Sequence, residues 1–179
     1  RGCRSWLTPQ FVVLARGSRS GPACLDDAIG DVLRFGDVSR DYNPVHYDSR
    51  FTEARGFTDR ICHGLLVASL ITEIGGQLGW LASDMNLKFK KPVYMGDTVH
   101  CTLTITEMDD KGVAEAQVDC RNQEGVTVLE GLLAGFAPTP KQREVMKAMV
   151  EEGDPTNKLA ESGGAQRGIG SGSSSQERE

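Results

Sequence analysis

Asp41, Asn43 and His46 stand within six residues, in the run Asp41-Tyr42-Asn43-Pro44-Val45-His46. A carboxylate and an imidazole five positions apart, separated by an Asn-Pro turn, can face the same side of a loop. Pro44 fixes its own φ and keeps Asn43 out of the helical region. The short amide of Asn43 can bond nearby backbone and hold the turn. Acid and base can then share one water molecule, one group taking a proton from it while the other gives a proton to a substrate carbon. Addition of water across the double bond of an α,β-unsaturated thioester needs those two transfers. It also needs donors for the enolate-like oxygen that develops in the transition state. Taken singly, Asp41 would be a turn cap and His46 a surface residue. An acid, a turn lock and a base within six residues favour the catalytic reading, with Asp41 as base toward water and His46 as proton donor to carbon, or the two roles exchanged.

A donor for the developing oxygen is offered at Cys62-His63-Gly64, just ahead of an apolar run. The first turn of a helix presents unpaired N–H groups and the positive end of its dipole, and Gly64 admits a ligand close to the backbone. The competing reading is that Gly64 merely starts the helix and that His63 is its structural neighbour. A metal site at Cys62 and His63 is not expected, because adjacent residues rarely converge on one ion, and Cys62 has no base beside it in sequence. Lys88, Lys90 and Lys91 cluster on or beside a strand. They are either a solvated face or point charges for the phosphates of a coenzyme A or pantetheine carrier.

Several elements must position these groups. Ile29, Val32, Leu33 and Phe35 follow helical spacing, with Asp26 or Asp27 as cap and an end near Ser39. A short helix after Asp48 carries Phe51, and residues 56–62 read as a loop. From Gly64 to Leu78 the chain is apolar nearly all round, which predicts a helix buried on most sides; Gly75, Gly76 and Gly79 close it. Strands follow. The first is expected over Met85 to Lys91. Val99, Cys101, Leu103 and Ile105 then alternate with polar residues, as do Ala114, Ala116, Val118 and Cys120, and a last strand runs from Val126 to Phe136. Turns are expected at residues 109–112 and 122–125. The pattern predicts an α+β domain in which an antiparallel sheet of about four strands wraps one long buried helix. Thr139-Pro140-Lys141-Gln142 has the form of a capping box with Pro at the first helical position. It opens a helix whose stripe of Val145, Met146, Met149 and Val150 should pack on the domain or on a partner subunit.

The chain has 179 residues, 39% of them hydrophobic, enough for one domain with length to spare. A net charge of −5 argues against a general nucleic-acid binder. Five cysteines without CxxC spacing point away from a disulfide framework or a zinc site and toward a reducing compartment. The longest apolar stretch is too short to span a bilayer. Residues 1–25 carry four arginines, three serines and no acid. The division expected is an N-terminal extension or targeting segment at 1–23, a folded domain at 24–137, a C-terminal helix at 138–150 and a disordered tail at 151–179. The location that follows is cytoplasmic, or the mitochondrial matrix if the first segment targets it.

Three stretches carry a resemblance to a known family. Residues Asp31 to His46 are similar to the hydratase-2 motif of the MaoC-like (R)-specific enoyl-CoA hydratases, His63 to Leu70 resemble their central helix, and Lys91 to Val99 resemble their Pro-Val…Gly-Asp strand turn. The three stand in the family's order and spacing, and the match covers about Leu25 to Phe136. The resemblance implies a hot-dog fold, a homodimer, and an acyl chain of six carbons or so in a tunnel beside the central helix. It implies Asp41 and His46 as catalytic dyad, Asn43 as orienting and substrate-binding residue, and the Gly64 amide as holder of the thioester oxygen. Substrates would be acyl-CoA or acyl-carrier-protein thioesters, with no metal or redox cofactor. Hydrolysis of the thioester by a hot-dog thioesterase and non-catalytic acyl-thioester binding are the alternatives. Two departures stand out. Arg40 occupies the position where the family commonly has Gly, and the usual first strand is not evident in residues 1–23 unless residues 10–15 supply it.

Overall fold

The computed structural model describes residues 28–152. The strand expected over residues 10–15, the cap at Asp26 or Asp27 and the segment after residue 152 lie outside the described residues. Helix α1 (Ala28–Ser39) leads through a short 3-10 turn at Pro44–His46 to helix α2 (Ser49–Ala54) and helix α3 (Gly64–Leu78). Strands β1 (Leu81–Phe89), β2 (Val99–Met108), β3 (Val113–Asn122) and β4 (Thr127–Phe136) follow, then helix α4 (Pro140–Glu152).

The strands form one antiparallel sheet in the order β1-β4-β3-β2. Alternation along β2 and β3 puts Val99, Cys101 and Leu103, and Ala114, Ala116, Val118 and Cys120, on one buried face. The two hairpins are locked by their first residues. The Asp109 carboxylate accepts from the amides of Lys111 and Val113, and the Asn122 side chain accepts from Glu124 and Val126. Strand β1 begins four residues earlier than the sequence predicts and ends at Phe89, because pairing with β4 extends through a bulge between Ala82 and Asp84.

Helix α3 lies on the buried face against β1 and β2. Val67, Ala68, Ile71, Ile74 and Gly75 form its buried stripe, and each fully buried aliphatic side chain contributes roughly 1.5–3 kcal/mol. Gly79 closes the helix in the left-handed conformation, its N–H donating to the carbonyls of Gly75 and Gly76. The helix is buried or half-buried along most of its length, as its composition predicts; of its large apolar side chains only Leu65, 64% exposed, stands clear. Composition sets how apolar a helix is, not which side its own domain covers. Helix α4 is covered less. Its capping box forms, with Thr139 and Gln142 bonded reciprocally, and Met146 reaches the backbone of Gly79. Yet Val145, Met149 and Val150 remain exposed, so within the described residues the stripe packs on the domain only at Met146.

Candidate active site

The loop that carries the dyad hangs from the end of α1. Arg40 takes a left-handed backbone, φ 59°, and its N–H donates to the Gly36 carbonyl at 2.7 Å. That conformation is the one glycine adopts most cheaply, so an arginine at this position keeps the turn at a conformational cost. From there the loop is held by its own polar side chains. The Asp41 amide donates to Ser39 Oγ, the Asn43 amide to Asp41 Oδ1, and the Val45 amide to Asn43 Oδ1. Asn43 is the N-cap of the Pro44–His46 turn, and Pro44 is its first helical residue.

This turn drives His46 inward. Its side chain is 8% exposed, against 50% for Asp41. His46 Nδ1 lies 2.8 Å from the Ile61 carbonyl. A carbonyl only accepts, so Nδ1 carries the proton and Nε2 presents its lone pair. Nε2 stands 3.8 Å from Asp41 Oδ2. That gap is long for a direct hydrogen bond and short enough for one water to touch both groups at about 2.8 Å. Burial lowers the His46 pKa most. The Ile61 bond raises it, nearby His63 lowers it and Asp41 raises it, with a net fall below the ordinary value of 6.5. The imidazole therefore rests uncharged at neutral pH.

His63 lies directly behind. It is 1% exposed, and its ring stacks on His46 with centroids 3.8 Å apart. Its Nε2 donates to the Asp41 carbonyl at 2.9 Å, while Nδ1 has no hydrogen-bond partner. The Tyr47 hydroxyl donates to the same carbonyl at 3.1 Å. Burial raises the Tyr47 pKa first, then Asp41, Tyr42 and Asp37 add to it, so the hydroxyl keeps its proton. Tyr47 fits only because residue 36 is glycine: a Cβ there would lie 2.1 Å from the hydroxyl oxygen.

Asp41, His46 and Gly64 line one cleft of about 660 Å³, walled by Phe35, Phe57, Leu65, Val67 and Phe89 among others. Gly64 opens α3, whose N-cap, His63, provides no side-chain bond to the first turn. The amides there have no intrahelical partner. The Phe89 ring lies over Gly64, and a Cβ at residue 64 would come within 2.9 Å of it. Asn43 is not among the cleft walls; its side chain is spent on the Val45 amide, which fits loop orientation rather than substrate contact. The lysines divide. Lys90 and Lys91 line the cleft, Lys90 being paired with Glu130 at 3.1 Å, while Lys88 lines a separate polar groove with Asn86 and Thr102. Cys62 is buried and its thiol is pushed up to about 12, chiefly by burial, which removes it as a nucleophile near neutral pH.

Asp41, His46 and His63 offer ligand atoms within 4.8 Å of one another. The two rings stack face to face, however, and in-plane lone pairs of stacked rings do not meet at one ion. His46 Nδ1 and His63 Nε2 are also engaged by carbonyls. The donor set does not favour a resident metal.

Sequence reasoning treated His63 as a structural neighbour and passed over Tyr47, Gly36 and Phe89. The available signal was a histidine and a glycine at the very start of an apolar helix, and an aromatic residue directly after His46.

A four-stranded antiparallel sheet packed on one long helix, with an acid–imidazole pair at the helix N-terminus, defines a hot-dog domain. The chain belongs to the MaoC like domain family, whose sequence pattern matches residues 27–127. It is 32% identical over 114 residues to the mitochondrial 3-hydroxyacyl-[acyl-carrier-protein] dehydratase FERN of Solanum lycopersicum, covering 61% of this chain and 69% of the relative. It is 33% identical over 106 residues to the (R)-specific enoyl-CoA hydratase of Aeromonas caviae, covering 56% of this chain and 79% of the relative. Among solved structures it is similar to the unliganded R-hydratase PhaJ1 of Pseudomonas aeruginosa. The TM-score is 0.57 at 31% identity, over 61% of this chain and 73% of that one.

Proposed function

We propose that this protein is a hydro-lyase that adds water reversibly to trans-2-enoyl thioesters, giving (R)-3-hydroxyacyl thioesters, with Asp41 and His46 as its catalytic residues. The observation that carries the reading is the 3.8 Å separation of Asp41 Oδ2 and His46 Nε2 in the cleft that also holds Gly64. The names of the relatives, hydratases and dehydratases of enoyl and 3-hydroxyacyl thioesters, support it.

The His46 tautomer favours the exchanged assignment of roles. Its bare Nε2 takes one proton from the bridging water, Asp41 accepts a hydrogen bond from the O–H that remains, and the hydroxide so formed adds to Cβ. The imidazolium, stabilised by the Asp41 carboxylate, then returns the proton to Cα on the same face. The thioester oxygen, charged in between, is held by the Gly64 amide at the positive end of α3. Water addition is redox-neutral and consumes nothing but substrate, so no cofactor enters beyond the coenzyme A or pantetheine already attached.

The same reading includes a homodimer, because Leu65 and Phe89 leave apolar cleft wall exposed. It takes either coenzyme A or acyl-carrier protein as the thiol, with Lys91 at the cleft available to a phosphate. It places the enzyme in the cytoplasm, or in the mitochondrial matrix if residues 1–23 target it; no helix among the described residues is long and apolar enough to cross a membrane. Incubation with crotonyl-CoA should consume the conjugated double bond and yield (R)-3-hydroxybutyryl-CoA. Release of free thiol without hydration would replace this reading with that of a thioesterase, and binding without turnover would replace it with that of a non-catalytic acyl-thioester binding module.

A further inference from the structure

His63 makes polar contacts that a packing residue does not need. It sits in the core at 1% exposure, between Phe35 (ring centroids 5.1 Å apart) and His46 (3.8 Å apart). An apolar ring would fill that space without leaving Nδ1 buried and unpartnered. What the imidazole offers and a benzene ring lacks is the Nε2–H, and that donor goes to the main-chain oxygen of Asp41. The Tyr47 hydroxyl reaches the same oxygen, and the two side chains lie 3.3 Å from one another. One carbonyl oxygen, in the exposed part of the loop and one residue beyond a left-handed backbone, thus takes two donors from partly or fully buried rings. The other hydrogen bonds of Asp41 among the described residues are local, from its own amide to Ser39 and from the Asn43 amide to its carboxylate.

We propose that His63 is a positioning residue for the dyad: with Tyr47 it tethers the Asp41 main chain, while its ring backs the imidazole of His46, so that one buried side chain fixes both halves of the pair. The inference rests on the hydratase reading above. It places a buried constraint behind the two groups that touch the water, and it explains why a histidine rather than an aliphatic residue stands at the N-cap of α3. Small displacements of a positioned base are costly, since acid/base catalysis depends on near hydrogen-bond geometry.

The experiment measures kcat and KM for crotonyl-CoA hydration by the full-length wild type and by His63→Phe, His63→Gln and Tyr47→Phe, with thermal unfolding as the check on folding. His63→Phe keeps the ring and removes the donor. It should lower kcat about 10–100-fold with KM within about twofold, the pattern of lost positioning rather than lost binding. His63→Gln, whose amide nitrogen reaches to a similar place, should recover at least about tenfold of that loss. Tyr47→Phe should lower kcat about 3–10-fold. A folded His63→Phe with wild-type kcat overturns the inference, and so does a His63→Gln no faster than His63→Phe. If His63→Phe does not fold, Tyr47→Phe decides, and an unchanged kcat there overturns it. A wild type that hydrates no enoyl thioester overturns the hydratase reading and the inference together, whereas a hydrating wild type with unaffected variants overturns the inference alone.

Discussion

His46 and Asp41 face one another across 3.8 Å but are held in unlike ways. His46 is buried, bonded through Nδ1 to the Ile61 carbonyl and stacked on His63. Its position is set by its own turn and by the segment of Ile61 and His63 further along the chain. Asp41 is half exposed, and its carboxylate is steered by the backbone of its own turn. The buried partner brings a fixed direction and a lowered proton affinity. The exposed partner brings charge and access to solvent, from which the reacting water must come. A pair built this way has one rigid reference point and one adaptable one.

The sharpest way to break the comparison is to remove each half. His46→Ala should lower kcat for enoyl-thioester hydration about 10³–10⁴-fold, and Asp41→Asn about 10²-fold, since acid/base groups contribute within that range. His46→Ala should also destabilise the fold by about 1–3 kcal/mol through the emptied core and the unpaired Ile61 carbonyl. Asp41→Asn should change stability by less than about 0.5 kcal/mol. Equal effects of the two variants on both kcat and Tm would remove the distinction. Next in size is Gly36→Ala. A methyl group there meets the Tyr47 hydroxyl and forces it off the Asp41 carbonyl, so chemical denaturation should show a loss of about 1–3 kcal/mol.

Titration sharpens the buried half alone. The His46 pKa is depressed in the folded protein, so the active, uncharged imidazole persists below pH 6.5. The acid limb of kcat/KM should therefore fall below 6.5. Because the folded value lies under the unfolded one, the associated stability is present above the unfolded pKa and lost as pH drops through the folded one. Denaturant midpoints measured between pH 7 and pH 5 should decline, and His46→Gln should decline less. An acid limb above 6.5 would contradict the burial argument. The smallest effect expected is at the loop's entrance. Arg40→Gly relieves a left-handed backbone and should stabilise the protein by about 1 kcal/mol, read from the shift in denaturation midpoint.

The approach of Asp41 and His46 was legible in sequence because the two residues and the turn between them are contiguous, and local chemistry at Asn43-Pro44 dictates the turn. Alternation along residues 99–105 and 114–120 likewise announced the sheet, and Thr139 with Gln142 announced the start of α4. What was not legible depends on approach between distant segments. Nothing near Gly36 in sequence says that a hydroxyl eleven residues later will occupy its missing side chain. Nothing near His63 says that its ring will lie against His46. The exposure of Leu65 on α3 was not legible either, because an apolar run does not tell whether its domain, a ligand or another subunit will cover each position.

The aromatic ring over Gly64 has a consequence for redesign. Phe89 is both a wall of the cleft proposed to take the acyl chain and a shield of the helix terminus that would receive the thioester oxygen. A smaller residue at 89 would make room for bulkier acyl chains and, by the same change, let water compete for the Gly64 amide. Substrate range and turnover are thereby coupled through one side chain, so variants selected for wider acceptance should trade it against rate unless a second substitution reseals that end of α3.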